Sequence, residues 1–99
     1  RAPAVSTPTR HDVPRELHLL GQTRDEARAA LEKFLDDAVL AGHSTVRVVH
    51  GKGTGALKRT VEACLRAHPL VNRFRVAAPA QGGSGATVVE LVEGRREAS

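Results

Sequence analysis

Glycine alternates with polar residues in the hexapeptide His50-Gly51-Lys52-Gly53-Thr54-Gly55. Glycine lets the backbone turn sharply and approach a ligand closely, and free amides at the start of a helix attract anions. Lys52 adds a cation, and His50 adds an imidazole that titrates near neutral pH and can act as a general acid or base. We therefore predict a phosphate site in this glycine turn (residues 50–55). Its candidate catalytic residues are His50 and Lys52, and its candidate binding residues are Gly51, Gly53 and Thr54.

Each residue of the glycine turn also has a purely structural interpretation. A histidine at the end of a strand can stabilise a turn through hydrogen bonds, and a lysine between two glycines can simply be solvated. The glycines can serve backbone shape alone, although that same shape forms a nest of amides that suits an anion. The sequence leaves both interpretations open.

Hydrophobic periodicity predicts the elements that position the glycine turn. Thr23 followed three residues later by Glu26 is a capping-box pattern, which predicts the start of a helix that ends at Gly42. Thr54 is the predicted cap of a second helix. Apolar residues recur at helical or strand spacing in the remaining segments. The predicted strands are residues 16–20, 44–50, 71–77 and 86–92, and the predicted helices are residues 24–41 and 56–68.

This order of elements, β-α-β-α-β-β, defines the fold class. Parallel strands joined through a helix take a right-handed crossover, which places both helices on the same face of the sheet. We therefore predict an α/β fold, a two-layer sandwich in which a four-stranded mixed sheet carries two helices on one face. The other face of the sheet is left open.

The strand directions predict that several loops meet at one edge of the sheet. If the first two strands are parallel, Gly21 and the glycine turn lie at the same edge. If the fourth strand is antiparallel to the second, the loop Gly82-Gly83-Ser84-Gly85 arrives there too. Open α/β sheets usually bind their ligands at such an edge. Gly82, Gly83 and Gly85 are therefore further candidate binding residues.

Positive charge is concentrated in the middle of the chain. The formal net charge is +4, and residues 42–85 contain seven Lys and Arg residues against the single acid Glu62. Strand alternation places Arg47, Arg73 and Arg75 on the open face of the sheet together with His18. Such a surface suits a polyanion such as a nucleic acid, and the arginines are candidate contacts to it. The alternative is a solvated surface that protects the sheet against aggregation.

Aromatic residues are scarce, which limits how a nucleic acid can be read. The chain has two, Phe34 and Phe74, and alternation points Phe74 toward the core. Base stacking on the sheet is therefore not expected. Contacts should be mainly to phosphates, with weak sequence preference and strong salt dependence.

Three further polar residues lie near the predicted edge. Asp25 and Glu26, at the start of the first helix, have the chemistry to hold Mg²⁺ for hydrolysis, but capping and dipole stabilisation explain them equally well. His18 is a candidate proton shuttle or an ordinary exposed strand residue. No His, Cys and carboxylate cluster has transition-metal spacing, so we assign no metal ligand.

The ends and the cysteine content bear on domain organisation and location. Residues 1–15 contain three prolines, which predict a flexible linker. We predict that residues 16–92 form the folded domain and that residues 93–99 form a C-terminal tail. The chain starts at Arg1, so we expect a piece of a longer protein.

A single cysteine, Cys64, fits a reducing compartment, and no segment resembles a membrane span or signal peptide. We expect a cytoplasmic protein without membrane contact.

Three motifs together resemble a known family. They are Leu17-His18-Leu19-Leu20-Gly21, His50-Gly51-Lys52-Gly53 and Gly82-Gly83-Ser84-Gly85-Ala86-Thr87. In this order and spacing they resemble the Smr (small MutS-related) domain over residues 16–92, most of all the C-terminal Smr domain of bacterial MutS paralogues of the second type. The first motif departs from the family pattern of Leu-Asp-x-His-Gly or Leu-Asp-x-Arg-Gly, because His18 replaces the acid and Leu20 replaces the His or Arg.

The resemblance implies a nucleic-acid-binding domain, often with sequence-nonspecific endonuclease activity. It also implies a parent protein with an ATPase region, expected to be a homodimer, that acts in recombination control, DNA repair or on stalled ribosomes. The isolated domain is expected to be a monomer. Direct partners would be DNA, RNA or the ribosome.

Three hypotheses follow. The first is a nonspecific DNA-nicking domain in which His50 and Lys52 take part in cleavage. The second is a binding-only domain that docks its parent protein on DNA or on ribosomal RNA, and the altered first motif favours it. The third is a protein-interaction domain that uses the acidic first helix.

Overall fold

The computed structural model describes residues 13–92. Most of the predicted linker, residues 1–12, and the predicted tail, residues 93–99, lie outside the described residues. The predicted order of elements is confirmed, and most boundaries agree to within one or two residues. The elements are β1 (Glu16–His18), α1 (Arg24–Leu40), β2 (Thr45–Val49), α2 (Ala56–Ala67), β3 (Val71–Val76) and β4 (Ala86–Leu91).

The strands form one mixed sheet in the order β1-β2-β4-β3. β1 is parallel to β2, and β4 is antiparallel to both of its neighbours. Both helices pack on the same face, so the predicted two-layer sandwich is confirmed. No helix within residues 13–92 has the length and apolar character needed to cross a membrane.

The hydrophobic core lies between this sheet and the two helices. Alternate residues of β2 and β4 point toward the helices, as period-2 alternation requires. Burying each such side chain contributes roughly 1.5–3 kcal/mol. The fully buried members include Val46, Val48 and Val89 from the strands and Leu31, Leu35, Val61 and Leu65 from the helices.

The two helices begin in different ways. α1 has the predicted capping box: Thr23 Oγ1 accepts from the Glu26 amide at 3.1 Å, and the Glu26 carboxylate accepts from the Thr23 amide at 2.9 Å. The predicted Thr54 cap of α2 is wrong. Gly55 is the cap, with φ +88°, a left-handed conformation that glycine adopts without strain. Thr54 Oγ1 instead accepts from the Ala56 amide at 3.3 Å.

The face of the sheet away from the helices, which we call the open face, is covered at one end. The segment between β3 and β4 forms two short 3₁₀ turns, Pro79–Gln81 and Gly83–Gly85. The Arg47 guanidinium donates to the Gln81 carbonyl at 2.7 Å and ties this segment to the sheet. Beside it lies a second, small apolar cluster made of Val49, Ala77, Ala86 and Val88.

Candidate functional site

The two glycine-rich loops meet at one edge of the sheet. The Gly85 carbonyl accepts from the His50 amide at 3.0 Å and from the Gly51 amide at 2.9 Å. A Cβ at Gly85 would lie 3.6 Å from the Cα of Gly51 and 3.4 Å from the Cγ of Lys52. The predicted convergence is therefore confirmed, and Gly85 directly supports the glycine turn. Gly82 and Gly83, with φ of +117° and +55°, shape the preceding loop.

His50 lies beneath the glycine turn with only 3% of its surface exposed. Its Nδ1 is 2.9 Å from the Gly51 carbonyl, and its Nε2 is 2.9 Å from Thr87 Oγ1. A carbonyl can only accept, so Nδ1 carries a proton, and in the neutral ring Nε2 accepts from the Thr87 hydroxyl. Both ring nitrogens therefore hold the turn in place. Thr87 belongs to the third sequence motif, but the sequence pattern alone does not place it beside His50.

A cleft of about 390 Å³ opens above the glycine turn. Residues 20–22 form one wall, and residues 50–58 form the other. The Leu20 side chain is 60% exposed and lies over Gly51, where a Cβ would come within 2.4 Å of its Cδ2. The wall also contains Gln22, whose Oε1 is buried without a hydrogen-bond partner among residues 13–92. No Asp or Glu lines this cleft.

Three cations surround the glycine turn without compensation. We call residues 50–59, the glycine turn with the first turn of α2, the rim. Within residues 13–92, Lys52, Lys58 and Arg59 form no salt bridge. The first turn of α2 has no acid, and the Arg59 guanidinium lies back over Gly55. Lys58 and Arg59 are two of the seven basic residues in residues 42–85, but the sequence pattern does not assign them to the site.

Free backbone amides add to the positive potential of the rim. Among residues 13–92, no acceptor takes the amides of residues 52–55. The α2 dipole also points its positive end at this turn. The rim thus combines amide donors, helix dipole and three cations, which is the arrangement that attracts phosphate.

The predicted arginines lie on the open face, but each is paired with a carboxylate. Glu90 accepts from Arg73 Nε at 2.8 Å and from Arg75 Nη1 at 3.2 Å. The hydrogen bond from Arg73 is the main reason that the pKa of Glu90 lies below its ordinary value. Glu16 forms a salt bridge with Arg47 and a 2.6 Å contact with His18 Nε2. Sequence reasoning missed this compensation.

Comparison with known proteins places the chain in a family. The family model of the Smr domain matches residues 17–92. The chain belongs to the Smr domain family. The Smr domain of Thermus thermophilus MutS2 is a similar solved structure, with a TM-score of 0.77, 42% identity, and coverage of 79% of this chain and 98% of that one. Another is YdaL, a stand-alone small MutS-related protein from Escherichia coli, with a TM-score of 0.75, 30% identity, and coverage of 85% and 66%.

Curated relatives of this Smr domain are much longer than the chain itself. Endonuclease MutS2 of Thermomicrobium roseum is 51% identical over 90 residues, which are 91% of this chain and 11% of that protein. Putative endonuclease MutS2 of Bacillus subtilis is 48% identical over 81 residues, which are 82% of this chain and 10% of that protein. The chain thus spans about a tenth of these relatives.

The acids at the start of α1 in this Smr domain have partners on or next to their own helix. The Asp25 side chain is 95% exposed and pairs with Arg28 at 3.6 Å. One oxygen of Glu26 is held by the capping box. Within residues 13–92, no group of three or more His, Cys, Asp or Glu side chains is arranged to hold a metal ion. Capping and dipole stabilisation account for both residues.

Proposed function

We propose that this Smr domain binds DNA without sequence preference through the rim and nicks it. The single observation that carries the binding proposal is the rim itself, where Lys52, Lys58 and Arg59 have no carboxylate partner within the described residues. A phosphate at the mouth of the cleft meets these cations and the amides of residues 52–55 together. Such contacts carry no sequence information and weaken steeply with salt.

The side chains around the cleft also favour weak sequence preference. Its apolar members, Leu20, Ala56 and Leu57, offer no flat ring on which a base can stack. Phe74 packs against the core, and the Arg66 guanidinium lies 5.7 Å from its ring centroid. Phosphate contacts therefore dominate the proposed interface.

The proposed nicking activity is supported by sequence similarity to relatives named endonucleases and by the position of Lys52. The relatives from Thermomicrobium roseum and Bacillus subtilis, at 51% and 48% identity, are named endonuclease MutS2 and putative endonuclease MutS2. Lys52 lies where its ammonium can stabilise charge that develops on a phosphate in the transition state. His50 is proposed to exchange a proton through its Nε2 atom. That atom is hydrogen-bonded to the neutral hydroxyl of Thr87, so the bond must break before the exchange.

The test pairs a binding measurement with a nicking assay. Fluorescence anisotropy with a labelled duplex, across a salt series, measures binding, and supercoiled plasmid with and without Mg²⁺ measures nicking. Lys52→Ala should weaken binding about tenfold near 0.1 M salt and reduce the salt slope by about 0.9. Lys33→Ala is the matched control, because Lys33 is also exposed but pairs with Asp37 on α1. Equal effects of the two variants would sink the assignment of the rim.

His50→Asn separates chemistry from shape. The amide of Asn places a donor close to the position of Nδ1, so the bond to Gly51 can persist while the titrating ring is lost. If His50 exchanges a proton, the variant should bind within several-fold of the original chain, because it loses only the bond to Thr87, and it should nick at least about 100-fold more slowly. A cooperative melting curve confirms that it folds. Undiminished nicking would end the catalytic role of His50.

A binding-only domain is the second candidate function. It is favoured by the full engagement of both His50 nitrogens and by His18 and Leu20 in the first motif. In this version the domain docks a homodimeric, ATPase-containing parent protein on DNA or on ribosomal RNA. It predicts the same salt-dependent binding at the rim but no nicking under any metal condition. Nicking that co-purifies with the domain and disappears in Lys52→Ala would exclude it.

A further inference from the structure

The open face carries three arginines and the rim carries three cations. On the open face, however, neighbouring carboxylates offset most of the positive charge. Arg73 and Arg75 share the Glu90 carboxylate, and Arg47 is paired with Glu16. The three arginines are therefore opposed by two carboxylates. At the rim, by contrast, three cations form no salt bridge with any acid of the described residues.

The carboxylates occupy the positions that phosphate oxygens would take. Glu90 presents one oxygen to each arginine, at 2.8 Å and 3.2 Å, which is the geometry of an arginine bound to an anion. Both Glu90 and Glu16 lie on the strands themselves, at 28% and 31% side-chain exposure, so neither can swing far away. A phosphate that approached the arginines would lie within a few ångströms of a fixed negative charge.

We propose that Glu90 and Glu16 are specificity-determining residues, which keep nucleic acid off the open face and so confine it to the rim. This inference rests on the proposed function of the rim. The effect does not need strong salt bridges. The Arg73 and Arg75 side chains are 75% and 60% exposed, and exposed pairs add little stability. Even when an arginine swings away, the carboxylate stays and repels a phosphate.

Glu90→Gln tests this directly, because it removes the charge and keeps the shape. Two arginines are freed, so the affinity for a duplex should rise at least about tenfold near 0.1 M salt, and the salt slope should steepen by about 1.8. Adding Glu16→Gln should raise the affinity further. Binding is measured by anisotropy with the full chain, and a melting curve checks that each variant folds.

Asp37→Asn is the matched control. It also removes one negative charge and frees a cation, Lys33, but it does so on α1. Its affinity should stay within about twofold of the original chain, because a distant exposed charge is largely screened at this ionic strength. If Glu90→Gln binds no more tightly than Asp37→Asn, the inference is overturned.

Combining Glu90→Gln with Lys52→Ala distinguishes the two proposals. If both are correct, Lys52→Ala weakens the original chain, while the double variant regains binding through the freed arginines. If Lys52→Ala has no effect but Glu90→Gln still tightens binding, the rim proposal fails and the role of Glu90 stands. If Lys52→Ala weakens binding and the double variant binds no better than Lys52→Ala, the rim stands and the role of Glu90 fails.

Discussion

The rim and the open face are both basic, but they differ in whether their cations are paired with carboxylates. At the rim, Lys52, Lys58 and Arg59 extend from a glycine turn and a helix start without acidic partners in the described residues. On the open face, Arg73 and Arg75 lie across a flat sheet and share a carboxylate. The cations of the first surface form no salt bridge within the described residues, and those of the second are paired with carboxylates.

Under the proposed function, a count of basic residues does not by itself locate the binding surface. What matters is whether each cation lacks a carboxylate partner and whether amide dipoles reinforce it. The glycine turn meets both conditions, because its cations form no salt bridge and the amides of residues 52–55 have no acceptor among residues 13–92. The open face meets neither.

Removing the cations of each surface in turn should give very unequal results. The variant Lys52→Ala, Lys58→Ala, Arg59→Ala should lose roughly 100- to 1,000-fold in DNA affinity near 0.1 M salt, with a salt slope lower by about 2.7. The variant Arg73→Gln, Arg75→Gln should lose less than about fivefold, because in the original chain the charge of Glu90 already opposes both arginines. Anisotropy across a salt series measures both. Losses of equal size would erase the distinction between the two surfaces.

Thr87→Val should destabilise the glycine turn, because it removes the hydroxyl that bonds His50. Valine keeps the shape of threonine but leaves the buried Nε2 of His50 without a partner, which costs about 1–3 kcal/mol in the free energy of unfolding. DNA binding should weaken several-fold as the turn loses its support. Urea denaturation measures the first effect. Thr45→Val, on the exposed start of β2, is the control and should change stability little. Identical stability of the two variants would show that the His50–Thr87 bond does not hold the turn.

A smaller effect concerns the pH dependence of stability on the open face. The pKa of Glu90 lies below its ordinary value of 4.5, chiefly because Arg73 donates to it. A carboxyl whose folded-state pKa is lowered stabilises the fold above its unfolded pKa, and this contribution disappears as the pH falls through the folded value. The original chain should therefore be slightly more stable than Glu90→Gln at pH 7, and the two should converge as the pH falls below the folded-state pKa of Glu90. A constant difference across this range would contradict the pairing.

The sequence was sufficient for the fold because its signals are local. The Thr23–Glu26 capping box, the Gly42 stop and the period-2 strands each act within a few residues, and together they define the order of elements. The misassigned cap at Thr54 shows the limit of such reasoning. A threonine before a helix normally indicates its start, but here the left-handed turn at Gly55 takes that position.

The candidate site was only partly predictable, because its decisive contacts connect distant residues. The meeting of Gly85 with Gly51 followed from strand directions. The His50–Thr87 bond and the pairing of Arg73 with Glu90 depend on strand register, which the sequence does not specify residue by residue. Glu16 and Glu90 also lie outside residues 42–85, so the local charge count overlooked them.

The central claim is that the rim, rather than the open face, receives the phosphate backbone. An NMR titration of the isotopically labelled chain with a short duplex tests it most directly, because each backbone amide reports its own environment. The account predicts the largest shift changes at residues 51–59, with small changes at Arg73 and Arg75. Shift changes centred on β3 and Glu90, with the glycine turn unaffected, would contradict it.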